Sequence, residues 1–344
     1  MKKKILILGI TGQIGSYLAD ILLECGHEIH GMIRRSSVTP LNTDRINHIY
    51  EKLHLHYGDI TDALSVDQIL FNVKPDYIFN MAAQSHVQVS FSTPLYTAIT
   101  DGVGPLLVLE AMKKHCPRAK YIQASTSELY GDVLEIPQTE KTKFNPVSPY
   151  AVAKMYGFYI TKVYREAYDL FACNSICFNN ESERRGSTFI TKKITEALSQ
   201  IYYKIENNEN FKTLKIGNLN SERDWGYSYE YAQGMIKIIE HSEPDDYVLA
   251  TGEKHSVREF IEEASQYVGM NIEWSGEGIN EKSIDKKTGK VIIEIDEKYF
   301  RPLEVNLLLG DAKKIKAILG WEPKVKFKEL VKIMMENDLK RYEI

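Results

Sequence analysis

The stretch that most constrains this chain lies at its start, in KILILGITGQIG. A short apolar run, Lys4–Ile10, reads as a buried strand. It breaks into glycines three apart, Gly9, Gly12 and Gly15, and an amphipathic helix follows over Gln13–Cys25. The spacing is G-x-x-G-x-x-G rather than G-x-G-x-x-G, but the physics is shared. Glycines allow a tight turn and close backbone approach, and a helix N-terminus offers free N–H groups to a pyrophosphate. A strand–turn–helix opening of this kind commits the rest of the chain to extend a parallel sheet.

The first half keeps that rhythm. Strands are expected at Glu28–Ile33, Leu53–Tyr57, Tyr77–Ala82, Ala119–Ala124 and Phe171–Phe178, with a long helix from about Tyr150 to Tyr168. Such alternation predicts an α/β, doubly wound parallel sheet of the Rossmann type. After Asn179 the rhythm stops. KIENNENFK and SGEGINEKSIDKKTGK read as surface loops, and a last helix is expected from Phe327 to about Tyr342. The predicted organisation is a cofactor domain over residues 1–178, with returning segments within 214–252 such as Leu214–Ile216 and Tyr247–Ala250. A smaller, mixed α/β substrate domain then comprises 179–213 and 253–344.

Composition narrows the partners. With 43 Lys+Arg against 47 Asp+Glu the net charge is −4, which argues against a broadly basic nucleic-acid surface. No apolar run approaches a membrane span, and the apolar part of the N-terminus is shorter than a secretory core. Cys25, Cys116, Cys173 and Cys177 form no C-x-x-C pair and no His cluster has ligand spacing. They are expected to be reduced thiols in or near the core of a cytoplasmic protein, with no metal site.

Three further stretches carry chemistry. The second strand ends in MIRRSS, where an acid would meet a free ribose 2′-hydroxyl. Arg34 and Arg35, followed by Ser36 and Ser37, suit a phosphate instead and point to NADP. Asp59 closes the third strand, where it faces an adenine ring or belongs to the cap of the next helix. In SPYAVAKMYG, Tyr150 and Lys154 stand four apart on one helix face. A tyrosine acts as a base at neutral pH only if something favours its phenolate, and a nearby ammonium does so. Between these motifs, YIQASTSELYG crowds hydroxyls and a carboxylate at the end of the fifth strand. One reading is a helix cap; the other is an active site at the carboxyl edge of the sheet.

The glycine loop, the hydroxyl-rich strand end and Y-x-x-x-K together resemble the extended short-chain dehydrogenase/reductase family. Thr126 matches its catalytic hydroxyl, Tyr150 its base, and Lys154 the residue that also holds the nicotinamide ribose. Glu128 is superfluous for oxidation alone. A carboxylate there suits a second proton transfer, removing a C5 proton as water leaves C6 of a hexose. Longer runs, among them NMAAQSHVQVSF, ASTSELYG, RDWG and YFRPLEVNLLLGD, resemble the GDP-mannose 4,6-dehydratases over nearly the whole chain.

That resemblance implies cofactor contacts at Gly9, Thr11, Gly12, Gln13, Ile14, Gly15, Arg34 to Ser37, Asp59, Ile60, Met81, Ala82, Ala83, Gln84, Ser85, Tyr96, Lys154, Asn180 and Arg185. It implies substrate contacts at Ser85, Glu128, Asn179, Lys193, Arg223, Arg301 and Glu304, with the arginines on the diphosphate. It also implies a homo-oligomer, a tetramer or a dimer. Three positions depart from the family pattern: Ile14 replaces Asp, Asn180 replaces His and Glu183 replaces Pro. They leave room for GDP-D-glycero-D-manno-heptose as the substrate. An epimerase or reductase on the same fold is the alternative enzyme, and a cofactor-sensing binding protein the non-enzymatic one; the latter has no need of both Tyr150 and Lys154.

Overall fold

In the computed structural model, residues 1–35 and 43–342 are described. The strands in chain order are β1 Lys4–Leu8, β2 Glu28–Ile33, β3 His54–Tyr57, β4 Tyr77–Asn80, β5 Lys120–Thr126, β6 Phe171–Cys177, β7 Asn179–Glu181, β8 Leu214–Ile216, β9 Glu222–Arg223, β10 Trp225–Tyr227, β11 Tyr247–Leu249, β12 His255–Ser256, β13 Ile272–Ser275, β14 Lys282–Asp285 and β15 Val291–Ile295. The α-helices are α1 Gln13–Glu24, α2 Ala63–Val73, α3 Val87–Ser92, α4 Pro94–Thr97, α5 Gly104–His115, α6 Pro149–Tyr168, α7 Ile190–Glu206, α8 Ser228–Glu240, α9 Val257–Tyr267, α10 Lys313–Leu319 and α11 Phe327–Leu339.

The main sheet is parallel and seven-stranded, in the order β11-β6-β5-β4-β1-β2-β3. Its strands are apolar because helices cover both faces. On one face Ile5, Ile7 and Ile122 pack with Leu18 and Leu22 of α1 and Met235 and Ile239 of α8. On the other, Leu6, Leu8 and Ile78 pack with Ile69 of α2 and Val108 and Met112 of α5. The chain runs outward from β1 in both directions, to β2 and β3 on one side and to β4, β5 and β6 on the other. The strand order therefore reverses at β1, and a crevice opens at its carboxyl end. Among the described residues, no helix is long and apolar enough to cross a membrane.

A third core joins α7, α9 and α11 to β8 and β15, with Ile194, Phe260, Ile293 and Leu330 fully buried. Two expectations are corrected here. Leu214–Ile216 does not return to the main sheet: it pairs with β15, where Leu214 meets Ile293 and Ile216 meets Ile295 in register. Only Tyr247–Leu249 returns, beside β6. The segment expected as a loop near residue 280 contains β14. Its buried residues, Ser283 and Asp285, are polar and its apolar Ile284 lies on the more exposed face, so no core-facing apolar alternation marks it. The cysteines also divide: Cys116, Cys173 and Cys177 are buried, whereas Cys25 is exposed at the end of α1; all four are free.

Candidate active site

The carboxyl edge of the sheet opens into a cavity of about 1130 Å³. The glycine loop forms one end. Gly9 has φ of +79°, and a Cβ on Gly15 would lie 2.3 Å from the Gly9 carbonyl oxygen, so the turn closes only with glycine there. Gly12 caps α1 without a side-chain hydrogen bond, leaving the first N–H groups of that helix free for an anion. Thr11 and Ile14 line the same end, and Ile14 packs on the core. Gln13 ties this loop to β7: its Nε2 donates to the Asn180 carbonyl at 3.0 Å, and the Ser182 hydroxyl donates to its Oε1 at 2.8 Å. Ser228 donates to the Asn180 amide oxygen at 3.0 Å. Glu183 accepts the Tyr17 hydroxyl at 2.6 Å. Asn180 and Glu183, two of the positions expected to depart from the family pattern, thus each hydrogen-bond to groups at the start of α1.

At the end of β2, Arg34 lines the cavity, and its Nη1 donates to the Tyr96 hydroxyl at 2.9 Å. Arg35 lies outside the cavity wall, its guanidinium 5.6 Å from the Tyr57 ring centre. Ser36 and Ser37 fall outside the described residues. Asp59 faces the cavity and accepts from the Thr61 N–H at 2.9 Å, while Asp62 caps α2. Ile60, Met81, Ala82, Ala83, Ser85, Asn180 and Arg185 line the cavity too. Gln84 does not; its side chain braces the loop from behind, donating to the His86 carbonyl at 3.1 Å.

The fifth strand settles its crowded end by doing two things at once. β5 continues to Thr126, and the Thr126 hydroxyl then caps the short 3₁₀ turn Ser127–Tyr130 by accepting the Glu128 N–H at 3.2 Å. The same turn aims Glu128 into the cavity. Opposite, Ser148 and Pro149 start α6, with Ser148 accepting the Ala151 N–H at 3.1 Å. This sets Tyr150 and Lys154 one turn apart, and both are buried.

Burial pushes the Tyr150 phenol well up and Asp101 adds to it; a hydrogen bond with Thr126 and the charge of Arg185 pull the other way. Burial also lowers the Lys154 ammonium, opposed by Asp101 and Cys177. The expected direct support of a phenolate by Lys154 is thus not visible in the chain alone: its Nζ stands 5.8 Å from the Tyr150 ring centre and donates to the Ala124 carbonyl at 3.2 Å.

At the far end, Arg223 and Arg301 share Glu304, at 3.2 and 3.1 Å. Burial lowers the Arg223 guanidinium, and the Glu128 carboxylate opposes the effect. Lys193 lies 3.7 Å from the Tyr299 ring centre. Burial raises the Tyr299 phenol, but Lys193 and Lys298 outweigh it and hold it below its ordinary value. Asn179 completes this wall.

The sequence reading missed several wall residues. Tyr299 stands two residues before Arg301 in a run already singled out, and an aromatic beside an anion site was a usable signal. Arg45 carried no motif; it donates to the carbonyls of Arg184 at 2.6 Å and Thr11 at 3.2 Å, fastening the loop after β7 to the glycine turn. Gln88 and Thr100 also line the cavity, and their side-chain oxygens, like Glu128 Oε2 and Asn179 Oδ1, are buried without partners. Four such atoms in one wall suit the hydroxyls of a polar ligand. Among the described residues, no cluster of His, Cys, Asp and Glu is arranged to hold a metal ion.

Comparison with known proteins places this geometry. The family profile described as GDP-mannose 4,6 dehydratase matches residues 6–334. A Drosophila melanogaster protein named GDP-mannose 4,6 dehydratase is 50% identical, with 98% of this chain and 86% of that protein covered. The Homo sapiens protein of that name is 48% identical, over 97% of this chain and 91% of its own length. Among solved structures, UDP-glucose 4-epimerase from Thermotoga maritima with UDP-glucose superposes with a TM-score of 0.80 at 22% identity, covering 99% of both chains. The dTDP-glucose 4,6-dehydratase from Bacillus anthracis in complex with NAD gives 0.78 at 21%, over 99% of this chain and 97% of that one. RMD from Pseudomonas aeruginosa complexed with NADPH gives 0.74 at 18%, over 99% and 100%. The structural likenesses establish the fold.

Proposed function

Because the chain belongs to the GDP-mannose 4,6-dehydratase family, we propose that it converts GDP-mannose to the GDP-4-keto-6-deoxy sugar and water, with NADP as its cofactor. The residues present fit a dinucleotide: the uncapped N–H groups in the first turn of α1 suit its pyrophosphate and Arg34 its 2′-phosphate. When bound, the nicotinamide supplies reversible hydride chemistry, so that oxidation at C4 and reduction at C6 leave no net redox change.

The chain's own groups manage the protons. Tyr150 takes the proton of the C4 hydroxyl, with Thr126 hydrogen-bonded to the phenol. Lys154 holds the ribose and adds positive charge nearby. Once C4 is a ketone, the C5–H bond is acidified. Glu128 takes that proton and returns one to the departing C6 hydroxyl, so C5–H and C6–OH leave as water. The observation that carries this reading is Glu128 Oε2, buried in the cavity wall with no protein partner. An epimerase needs no carboxylate there.

The test is to offer the purified protein GDP-mannose and GDP-D-glycero-D-manno-heptose separately with NADP, and to weigh the products. Loss of one water from GDP-mannose is expected. A new product of unchanged mass identifies an epimerase, oxidation of NADPH supplied in a parallel reaction a reductase, and selective dehydration of the heptose compound the modified-sugar substrate.

Assembly and layout belong to the same proposal. Val152, Tyr156, Tyr159 and Val163 form an exposed apolar stripe along α6, each about half exposed, at a spacing that keeps them on one helix face. We read the stripe as the contact between two copies of the chain, and a tetramer as a pair of such dimers. Residues 1–178 with Tyr247–Leu249 carry the cofactor, and the core around α7, α9 and α11 carries the nucleotide sugar. A cytoplasmic setting goes with the three buried, unpaired thiols.

A further inference from the structure

Asp101 is a buried acid to which the mechanism above gives no part. It lies in Ala98–Val103, a π-helical turn between α4 and α5. Turns of this type are rare and mark functional sites more often than chance. The residue is 1% exposed. Its Oδ1 accepts the Gln84 N–H at 2.8 Å, while Oδ2 is buried with no hydrogen-bond partner. Leaving a carboxylate oxygen in that state is costly, so holding the Gln84 loop does not account for a full carboxylate here.

What the turn packs against is the face of α6 that bears the proposed base. A Cβ on Gly102 would lie 3.4 Å from the Ala153 carbonyl oxygen, and one on Gly157 3.0 Å from the Asp101 carbonyl oxygen. These close approaches flank Lys154 on the helix. Burial drives acid and ammonium alike toward their neutral forms, and each opposes that effect in the other: the Asp101 carboxyl is pushed up to about 6, with Lys154 pulling it down. The other groups acting on this cluster are Tyr150 on α6, Glu128 beyond β5, Arg185 beyond β7 and the Cys177 thiol on β6. Burial pushes that thiol up to about 12, so it supplies no charge at neutral pH.

We propose that Asp101 is a positioning residue: its carboxylate is the counter-charge that keeps the buried Lys154 protonated. Lys154 thereby remains an ammonium beside Tyr150 in a pocket that would otherwise favour the neutral amine. The inference deepens the proposed roles of Tyr150 and Lys154 and rests on them for its catalytic consequence, but the charge coupling itself is a property of the chain alone.

The test follows the Lys154 side-chain nitrogen by NMR in protein carrying isotope-labelled lysine, the signal identified by its loss in Lys154→Arg. Asp101→Asn keeps the shape and the acceptor for Gln84 and removes the charge. It should lower the Lys154 titration midpoint by about one pH unit or more; an unchanged midpoint overturns the proposal. Should that variant not fold, the unaltered protein still decides. Its Lys154 signal should show a second inflection near pH 6 as Asp101 titrates, and a flat response there overturns the proposal.

The catalytic consequence is read separately. In Asp101→Asn, kcat should fall about tenfold or more with KM for GDP-mannose little changed, and the alkaline limb of kcat should move to lower pH. A profile that overlays the original after scaling refutes the positioning role. If the NMR coupling appears but no nucleotide sugar is dehydrated, the function reading has failed and the charge pair stands.

Discussion

The Thr126 hydroxyl accepts the Glu128 N–H, so the residue proposed for the second proton transfer is placed by the residue proposed to serve the first. Glu128→Gln keeps the size of the side chain and removes its ability to take a proton. It should lower dehydration by about 10²–10⁴-fold while leaving nucleotide-sugar binding near its original strength, and product analysis in a single turnover checks this. Retained turnover would remove Glu128 from the chemistry. Arg34 is read by a different measurement. It holds Tyr96 and faces the end of the cavity where a 2′-phosphate would lie. Arg34→Ala should weaken NADP by about tenfold or more and NAD by less than about twofold, on titration of each. Equal losses would mean that the side chain does not read the phosphate.

The turn between β1 and α1 is the element on which the cavity depends most. A methyl group at Gly15 meets the Gly9 carbonyl oxygen at 2.3 Å, far inside van der Waals contact, and that oxygen is already held by the Gly12 N–H at 2.9 Å. Gly15→Ala should therefore displace the start of α1, weaken dinucleotide binding by about tenfold or more and lower the melting temperature by several degrees; a calorimetric scan with and without NADP checks both. This element was fully legible in the sequence, because the turn needs glycine and little else will do. So was α6, where Ser148, Pro149 and the four-residue step from Tyr150 to Lys154 are local signals. β8 and β14 were not. Leu214–Ile216 is an apolar triplet that suits any sheet, and only the packing of Ile293 and Ile295 decides which one it joins. Arg45 was illegible for a similar reason: its partners, Thr11 and Arg184, are remote in sequence and are joined to it only by the fold. Nothing in the sequence singles out Asp101, and its burial in the core appears only in three dimensions.

At the scale of the molecule, two bodies of different texture meet over one cavity, and the exposed stripe on α6 lies on the helix whose buried face supplies Tyr150 and Lys154. Assembly through that stripe would hold the catalytic helix from both sides. Tyr159→Glu places a charge in its middle, and light scattering after gel filtration should show a shift to smaller species with the fold intact. An assembly that survives this change would place the contact elsewhere. The central claim concerns the whole reaction: hydrogen leaves C4 and returns at C6 of the same sugar, with the chain moving only protons. The direct measurement is NMR of the product formed from GDP-mannose carrying deuterium at C4. This account predicts deuterium at C6, one water lost and no build-up of NADPH. Deuterium retained at C4, or NADPH accumulating in step with product, would contradict it.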